Sequence, residues 1–388
     1  MDAPCISGTV PKPYVTEKEV EQLLARLYSL QAIQIKELPS YEDRTFFLRT
    51  VPDKGLNGQT QFILKVLNAE ITSQLPSAVA VQMEILDYLK GFPQLKCQVP
   101  VTTMEGKLLS YEMLRNDWKN GDGVVRHQDA LSAVRMFYYL PGQSLDNLAP
   151  LPPPFLYKVG QHIGHLQQVL QTFPGDIEPL KQKEKVFSWS YRNLLHVKQH
   201  LGVVEDPRQR ALLEDVLEVF RKNVVPILGE LRKGIVVHDC NNFNILTTVC
   251  EAGCNTDQAE ERMTRDFQIS GVIDFDETMH AALVNEIAIS MMYLMLCCDE
   301  PLEGAAHLLA GFESRSPLPQ RERGLLRVLI AGRFVLSLVY SVLLAKLHPE
   351  NDYLTNTQGK GWKCLELLWK QGEEDLMNYW DQIRQLHG

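Results

Sequence analysis

Three side chains bearing oxygen donors stand in an order that suits one kind of chemistry. Asp239 precedes Asn244 by five residues in the run GIVVHDCNNFNIL, and Asp274 follows in ISGVIDFDE after a long polar stretch. Phosphoryl transfer uses such a set: one carboxylate beside the attacking hydroxyl, and two oxygen ligands that hold a divalent cation against the phosphates. A tight loop carrying Asp239 and Asn244 can aim them at separate tasks because it turns between them. Apolar runs at residues 235–237, 245–246 and 272–273 read as short buried strands bracketing these polar groups. The residues alone leave a second reading, in which Asp239 and Asn244 form a turn and Asp274 caps a strand end.

Such a set needs a cation opposite it. Lys65 lies within FILKVLN, and an ammonium inside an apolar strand is costly unless an anion meets it, which gives it a reason to face phosphates. The competing reading places Lys65 on the solvent face of an edge strand. Residues 33–38, 45–51 and 61–67 read as three antiparallel strands, with turn chemistry at 53–55 and 57–58. Between the first two, Pro39-Ser40-Tyr41-Glu42-Asp43 is either a lid over phosphates or a plain polar turn, and it holds no glycine. A helix over 16–30 opens with Thr16 and Glu19 as a capping box. The helix over 76–90 carries Glu84 as an acidic partner for Lys65, with Gln82 competing for that place. Residues 99–103, 107–109 and 133–140 read as further strands. The last runs into Tyr139-Leu140-Pro141-Gly142, a hinge whose backbone can meet a purine beside Tyr139.

Beyond residue 152 the apolar spacing turns helical, over 157–173, 209–233, 285–298, 301–312, 319–347 and 357–380. Strands followed by helices indicate an α+β chain with an N-terminal lobe over 1–141 and a helical C-terminal lobe over 142–388. Residues 325–345 are apolar enough to raise a membrane span, but Arg327 and Arg333 inside them favour a buried helix. A net charge of −9 argues against nucleic acid or an anionic membrane as the main partner, and 45% hydrophobic with 22% charged residues is an ordinary globular profile. The eight cysteines form no regular framework, which suits a reducing compartment. Cys250 and Cys254 lack a second metal-ligating pair, so residues 249–266 read as a polar excursion of a hairpin rather than a zinc site. MDAPCISGTV shows no signal-peptide pattern.

The serial order of LPSYEDRTF, FILKVLN, YYLPG, the Asp239 loop, VIDFDE, NEIAISMMYLM, LLAGFESRSPL, HPENDYL and GWKCL resembles the hydroxylysine kinases, within the aminoglycoside phosphotransferase-like branch of the protein-kinase-like fold. The likeness spans nearly the whole chain. It implies a bilobal fold, with a small antiparallel-sheet N-lobe and a larger, mainly helical C-lobe. It implies Asp239 as catalytic base, Asn244 and Asp274 as Mg2+ ligands, and Lys65 on the nucleotide phosphates. It further implies GTP as donor (ATP being the alternative), 5-hydroxy-L-lysine as acceptor, and a cytoplasmic place in lysine degradation. The chain departs from the family twice. Val237-His238-Asp239 stands where the family has His-Gly-Asp, and Asp274-Phe275-Asp276 where it has a glycine in third place.

Hydroxylysine carries two ammonium groups and one carboxylate. Its pocket calls for carboxylates, for which Asp276, Glu277 and Glu313 are candidates, and for a cation, for which Arg333 is one. Two other readings stay open: a kinase for a choline-like or aminoglycoside-like amino alcohol, and a non-catalytic nucleotide-binding protein.

Overall fold

The structure, a computed structural model, describes residues 12–40, 42–52, 56, 58–119, 125–249, 267–347 and 357–388. The Cys250/Cys254 pair, Tyr41, the turn residues 53–55 and 57, and the HPENDYL stretch lie outside the described residues.

Helix α1 (Glu17–Tyr28) begins where expected, with Thr16 and Glu19 bonding reciprocally as a capping box. It lays Val20, Leu23, Leu24 and Leu27 on a sheet whose inner face carries Phe46, Leu48, Phe62, Leu64 and Val66. Strands β1 (Ala32–Leu38), β2 (Arg44–Thr50) and β3 (Gln61–Val66) form that sheet. Helices α2 (Ala69–Gln74) and α3 (Pro76–Leu89) follow, then β4 (Pro100–Val101), β5 (Ser110–Lys119) and β6 (Val125–Tyr138). The order is β1-β2-β3-β6-β4 with β5 paired to β6, every pair antiparallel. The expected strand at 107–109 is absent. Strand β5 starts at Ser110 and makes a long hairpin with β6, which sequence periodicity missed.

After β6 the chain crosses at Gly142, φ 145°, where an added Cβ would sit 2.3 Å from Ser270 Oγ, so only glycine passes. Strand β7 (Gln143–Ser144) then leads to helices α4 (Pro153–Leu170), α5 (Glu178–Val186) and α6 (Pro207–Asn223). Strands β8 (Lys233–Val236), β9 (Ile245–Val249), β10 (Phe267–Val272) and β11 (Met279–Ala282) form two small antiparallel sheets, β10-β9-β7 and β11-β8. Helices α7 (Val284–Met295), α8 (Pro301–Glu313), α9 (Gln320–Arg323), α10 (Leu326–Leu347), α11 (Gln358–Lys370) and α12 (Glu373–Gln385) complete the C-lobe.

Three expected helices were too long, each for a local reason. The helix over 209–233 ends at Asn223 because Pro226 cannot continue it, and residues 233–236 join a strand. The helix over 319–347 breaks at Gly324, and that over 357–380 breaks at Gln371–Gly372. Helices α4 and α8 cross closely, since a Cβ on Gly311 would lie 2.0 Å from the Tyr157 carbonyl. Helix α10 is long and apolar enough to cross a membrane, yet 83% of its most apolar window is buried in the lobe. It is a core helix, and Arg333 points inward from it at 1% exposure.

Candidate active site

The loop after β8 begins with backbone strain. His238 has φ 68°, a left-handed conformation that a glycine adopts freely and a histidine rarely. Its neighbours hold it there: His238 N donates to Glu286 Oε2 (3.1 Å), Nδ1 lies 3.3 Å from Glu277 Oε2, and the ring is fully buried. Burial lowers the imidazole's pKa, with Glu277 opposing.

Asp239 follows, and its carboxylate organises the turn. Asn244 Nδ2 donates to Asp239 Oδ2 (2.8 Å) and to its carbonyl (3.0 Å), while Asn241 Nδ2 donates to Oδ1 (3.0 Å). Asn241 Oδ1 accepts the backbone N–H groups of Phe243 (2.8 Å) and Asn244 (3.0 Å), an Asx turn that closes the loop. With its amide nitrogen engaged, Asn244 has Oδ1 left to offer a cation. Burial raises the Asp239 pKa, Glu277 adds to the rise, and Arg333 opposes it.

The β9–β10 pairing brings the third oxygen group to this loop. Val272 pairs with Ile245, and Ile273 N donates to the Asn244 carbonyl (2.9 Å), so Asp274 emerges beside Asn244. The left-handed angle in this segment belongs to Asp274, φ 62°, with its N–H held by Gln98 Oε1 (2.9 Å). Asp276, the residue in the family's glycine place, is not among the positive-φ residues.

Lys65 faces Asp274 across the lobes, Nζ to Oδ1 3.1 Å, and lies on an interior strand rather than an edge. It also meets Asp276 Oδ2 (2.5 Å) and Asp43 Oδ2 (3.8 Å). Burial alone would lower its pKa, but Asp274, Asp276 and Asp43 together raise it. The expected helix carboxylate does not take part: Glu84 is exposed, and Gln82 donates to the carbonyls of Asp276 (2.8 Å) and Thr278 (3.1 Å). Helix α3 thus grips the loop that carries the carboxylate.

Asp276 is an internal counter-ion. Its other oxygen meets Arg135, which lies opposite Lys65 in the β3–β6 register and is wholly buried. Against the cost of burial, Arg135 and Lys65 hold the Asp276 carboxyl far below the usual range. Each oxygen is thus engaged by a protein cation, Lys65 on one and Arg135 on the other, where a substrate ammonium was the expected partner.

Arg333 Nη2 reaches Asp239 Oδ1 and Glu277 Oε2, each at 3.3 Å, with the guanidinium over the rings of Trp189 (4.7 Å) and Tyr293 (5.4 Å). Among the described residues its buried Nη1 and Nε have no hydrogen-bond partner. Glu277 is 19% exposed, and its pKa is lowered: burial raises it, but Arg333 and then His238 outweigh that. Glu313 is elsewhere, at the end of α8 between Arg323 (3.1 Å) and Arg384 (3.6 Å), where it ties α8 to α9 and α12. Ser40 bonds through its hydroxyl to the Asp43 carbonyl and closes its own turn. The Tyr139 N–H donates to the Gln61 carbonyl (3.1 Å), which leaves its ring, edge-on to Phe47 at 5.2 Å, to form the hinge wall.

Sequence reasoning missed Arg135, Lys183, Asp43, Gln98 and Asn241. Arg135 carried a usable signal, a cation inside the apolar run 133–140, as Lys65 did in its own strand. Lys183 carried none: it sits in a charged helix, yet its ammonium reaches the Asp276 carbonyl, and burial pushes its pKa down to about 8.

The donor set fits a hard cation, because one carboxylate and one amide oxygen, with phosphate oxygens and water completing the shell, is a usual magnesium or calcium arrangement. The profile of the phosphotransferase enzyme family matches residues 34–325. A hydroxylysine kinase of Mus musculus is 30% identical over 373 residues, covering 95% of this chain and 93% of its own. One of Bos taurus is 29% identical over 378 residues, covering 96% and 94%. An amicoumacin kinase in complex with AMP-PNP and Ca2+ shares the fold at a TM-score of 0.63 and 16% identity, over 93% of this chain and 97% of its own.

Proposed function

We propose, because the chain belongs to the phosphotransferase enzyme family, that it transfers the terminal phosphoryl group of GTP to the hydroxyl of 5-hydroxy-L-lysine. Asp239 accepts a hydrogen bond from the acceptor hydroxyl and aligns it for in-line attack, taking its proton late. Asn244 Oδ1 and Asp274 would hold Mg2+, which neutralises phosphate charge when bound. Lys65 leaves Asp274 for the phosphates, and the purine lies at the hinge against Tyr139 and Phe47.

One observation carries the choice of acceptor. Asp239 and Glu277 share a single guanidinium, so the mouth of the site holds two carboxylates against one cation. An ammonium-bearing substrate supplies the missing charge, and it frees Arg333, buried behind Asp239 and Glu277, to turn toward a substrate carboxylate. Choline would answer the first demand and not the second. The proposal includes a place in lysine degradation and a cytoplasmic setting.

The test is transfer from Mg·GTP and Mg·ATP to 5-hydroxylysine, choline and an aminoglycoside by the purified protein. Preferential transfer to 5-hydroxylysine is expected. Equal transfer to choline removes the role given to Arg333, and nucleotide binding with no transfer to any amino alcohol defeats the reading.

A further inference from the structure

A second concave site, which Asp239 does not line, lies where the turn before β4 meets helix α4, strand β10 and the turn after α8. It is a cavity of about 340 Å³ lined by Lys96, Lys158, His162, His165 and Arg315, with Phe155, Phe267 and Ile269 among its apolar wall. Five of its lining residues carry cationic or imidazole nitrogen, and no lining residue among those described is a carboxylate, in a chain whose net charge is −9.

Four separate parts of the chain build it, with strand β10 supplying wall residues and the other three the nitrogens. Helix α4 sets Lys158, His162 and His165 on one face at four- and three-residue spacing. Arg315 comes from the turn after α8. Lys96 comes from the turn before β4 and takes φ 49°, uncommon for a side chain of this size, with its ammonium on the Ile269 carbonyl at 2.8 Å. His162 bonds the Leu95 backbone, and burial lowers its pKa to about 4, so its neutral ring is part of the wall and the donors that face an anion are Lys96, Lys158, His165 and Arg315.

We propose that this cavity binds a small phosphate-bearing anion, independently of the nucleotide cleft. Several nitrogens approaching from three sides suit the tetrahedrally disposed oxygens of a phosphate dianion better than the single plane of a monocarboxylate. The volume falls in the range of small-molecule sites.

The test is calorimetric titration of the full-length protein with inorganic phosphate and, separately, phosphoethanolamine, with the cleft saturated by a magnesium-bound non-hydrolysable GTP analogue. Saturable binding of at least one probe is expected, and the tighter of the two identifies free phosphate or a phosphate ester as the source. The double variant Lys158→Glu/Arg315→Glu should weaken it by at least about tenfold, since each charge-assisted hydrogen bond is worth about that. Both side chains are exposed, so folding should survive, and unchanged nucleotide affinity in the variant checks this. No saturable binding of either probe, or binding that charge reversal leaves intact, overturns the proposal.

Discussion

Two charge clusters flank the cleft, and they are built on opposite plans. On the N-lobe side Lys65 and Arg135 meet Asp43, Asp274 and Asp276, with the Lys183 ammonium on the Asp276 carbonyl. Three cations and three carboxylates nearly balance, and Asp276 joins strands β3 and β6 to the loop after β10. On the C-lobe side one guanidinium serves Asp239 and Glu277. The balanced cluster holds the lobes in register, while the unbalanced one calls for a further cation. Stability should therefore depend most on the first and acceptor recognition on the second.

The largest expected effect breaks the balanced cluster. Asp276→Ala leaves Arg135 buried without its carboxylate and should cost about 3–5 kcal/mol of stability, measured by urea unfolding. A loss under about 1 kcal/mol would mean that water already reaches Arg135.

Arg333→Met acts on the other side. With the guanidinium gone, Asp239 and Glu277 repel, and the Asp239 pKa rises further. Asp239 must be ionised to accept the hydroxyl proton, so activity is present above its pKa and lost as pH falls through it. The acid limb of kcat/KM should already lie above the ordinary aspartate value of about 3.9 and should move higher in this variant. An unmoved limb would remove Asp239 from that titration.

Glu277→Gln should raise the KM for the amino alcohol about tenfold while nucleotide KM stays constant, the size of one charge-assisted contact. Equal changes in both constants would make Glu277 structural. The smallest effect is expected of His238→Gly. Glycine relieves the left-handed strain, which offsets part of the cost of losing the Glu277 contact and emptying the buried ring's place, so a net loss of about 1 kcal/mol in stability is expected.

Elements with a strong local period were legible in the sequence. The first three strands, the capping box at Thr16 and the loop from Asp239 to Asn244 each declare themselves within a few residues. The β5–β6 hairpin did not, because polar residues interrupt its alternation. The partner of Lys65 was hidden for another reason. Asp276 is 211 residues away, and the two meet only because lobe packing sets that distance, so no local pattern could favour it over Glu84. Asp276 and Glu277 are adjacent in sequence, yet the turn aims one at Arg135 and the other at Arg333. Their division of labour depends on tertiary direction.

The most direct measurement is single-turnover phosphorylation of 5-hydroxylysine from Mg·GTP by the wild-type chain beside Asp239→Asn. The expected result is transfer by the wild type and a rate about a thousandfold lower in the variant, with GTP affinity retained. Equal rates in the two proteins would contradict the placement of the acceptor hydroxyl against Asp239.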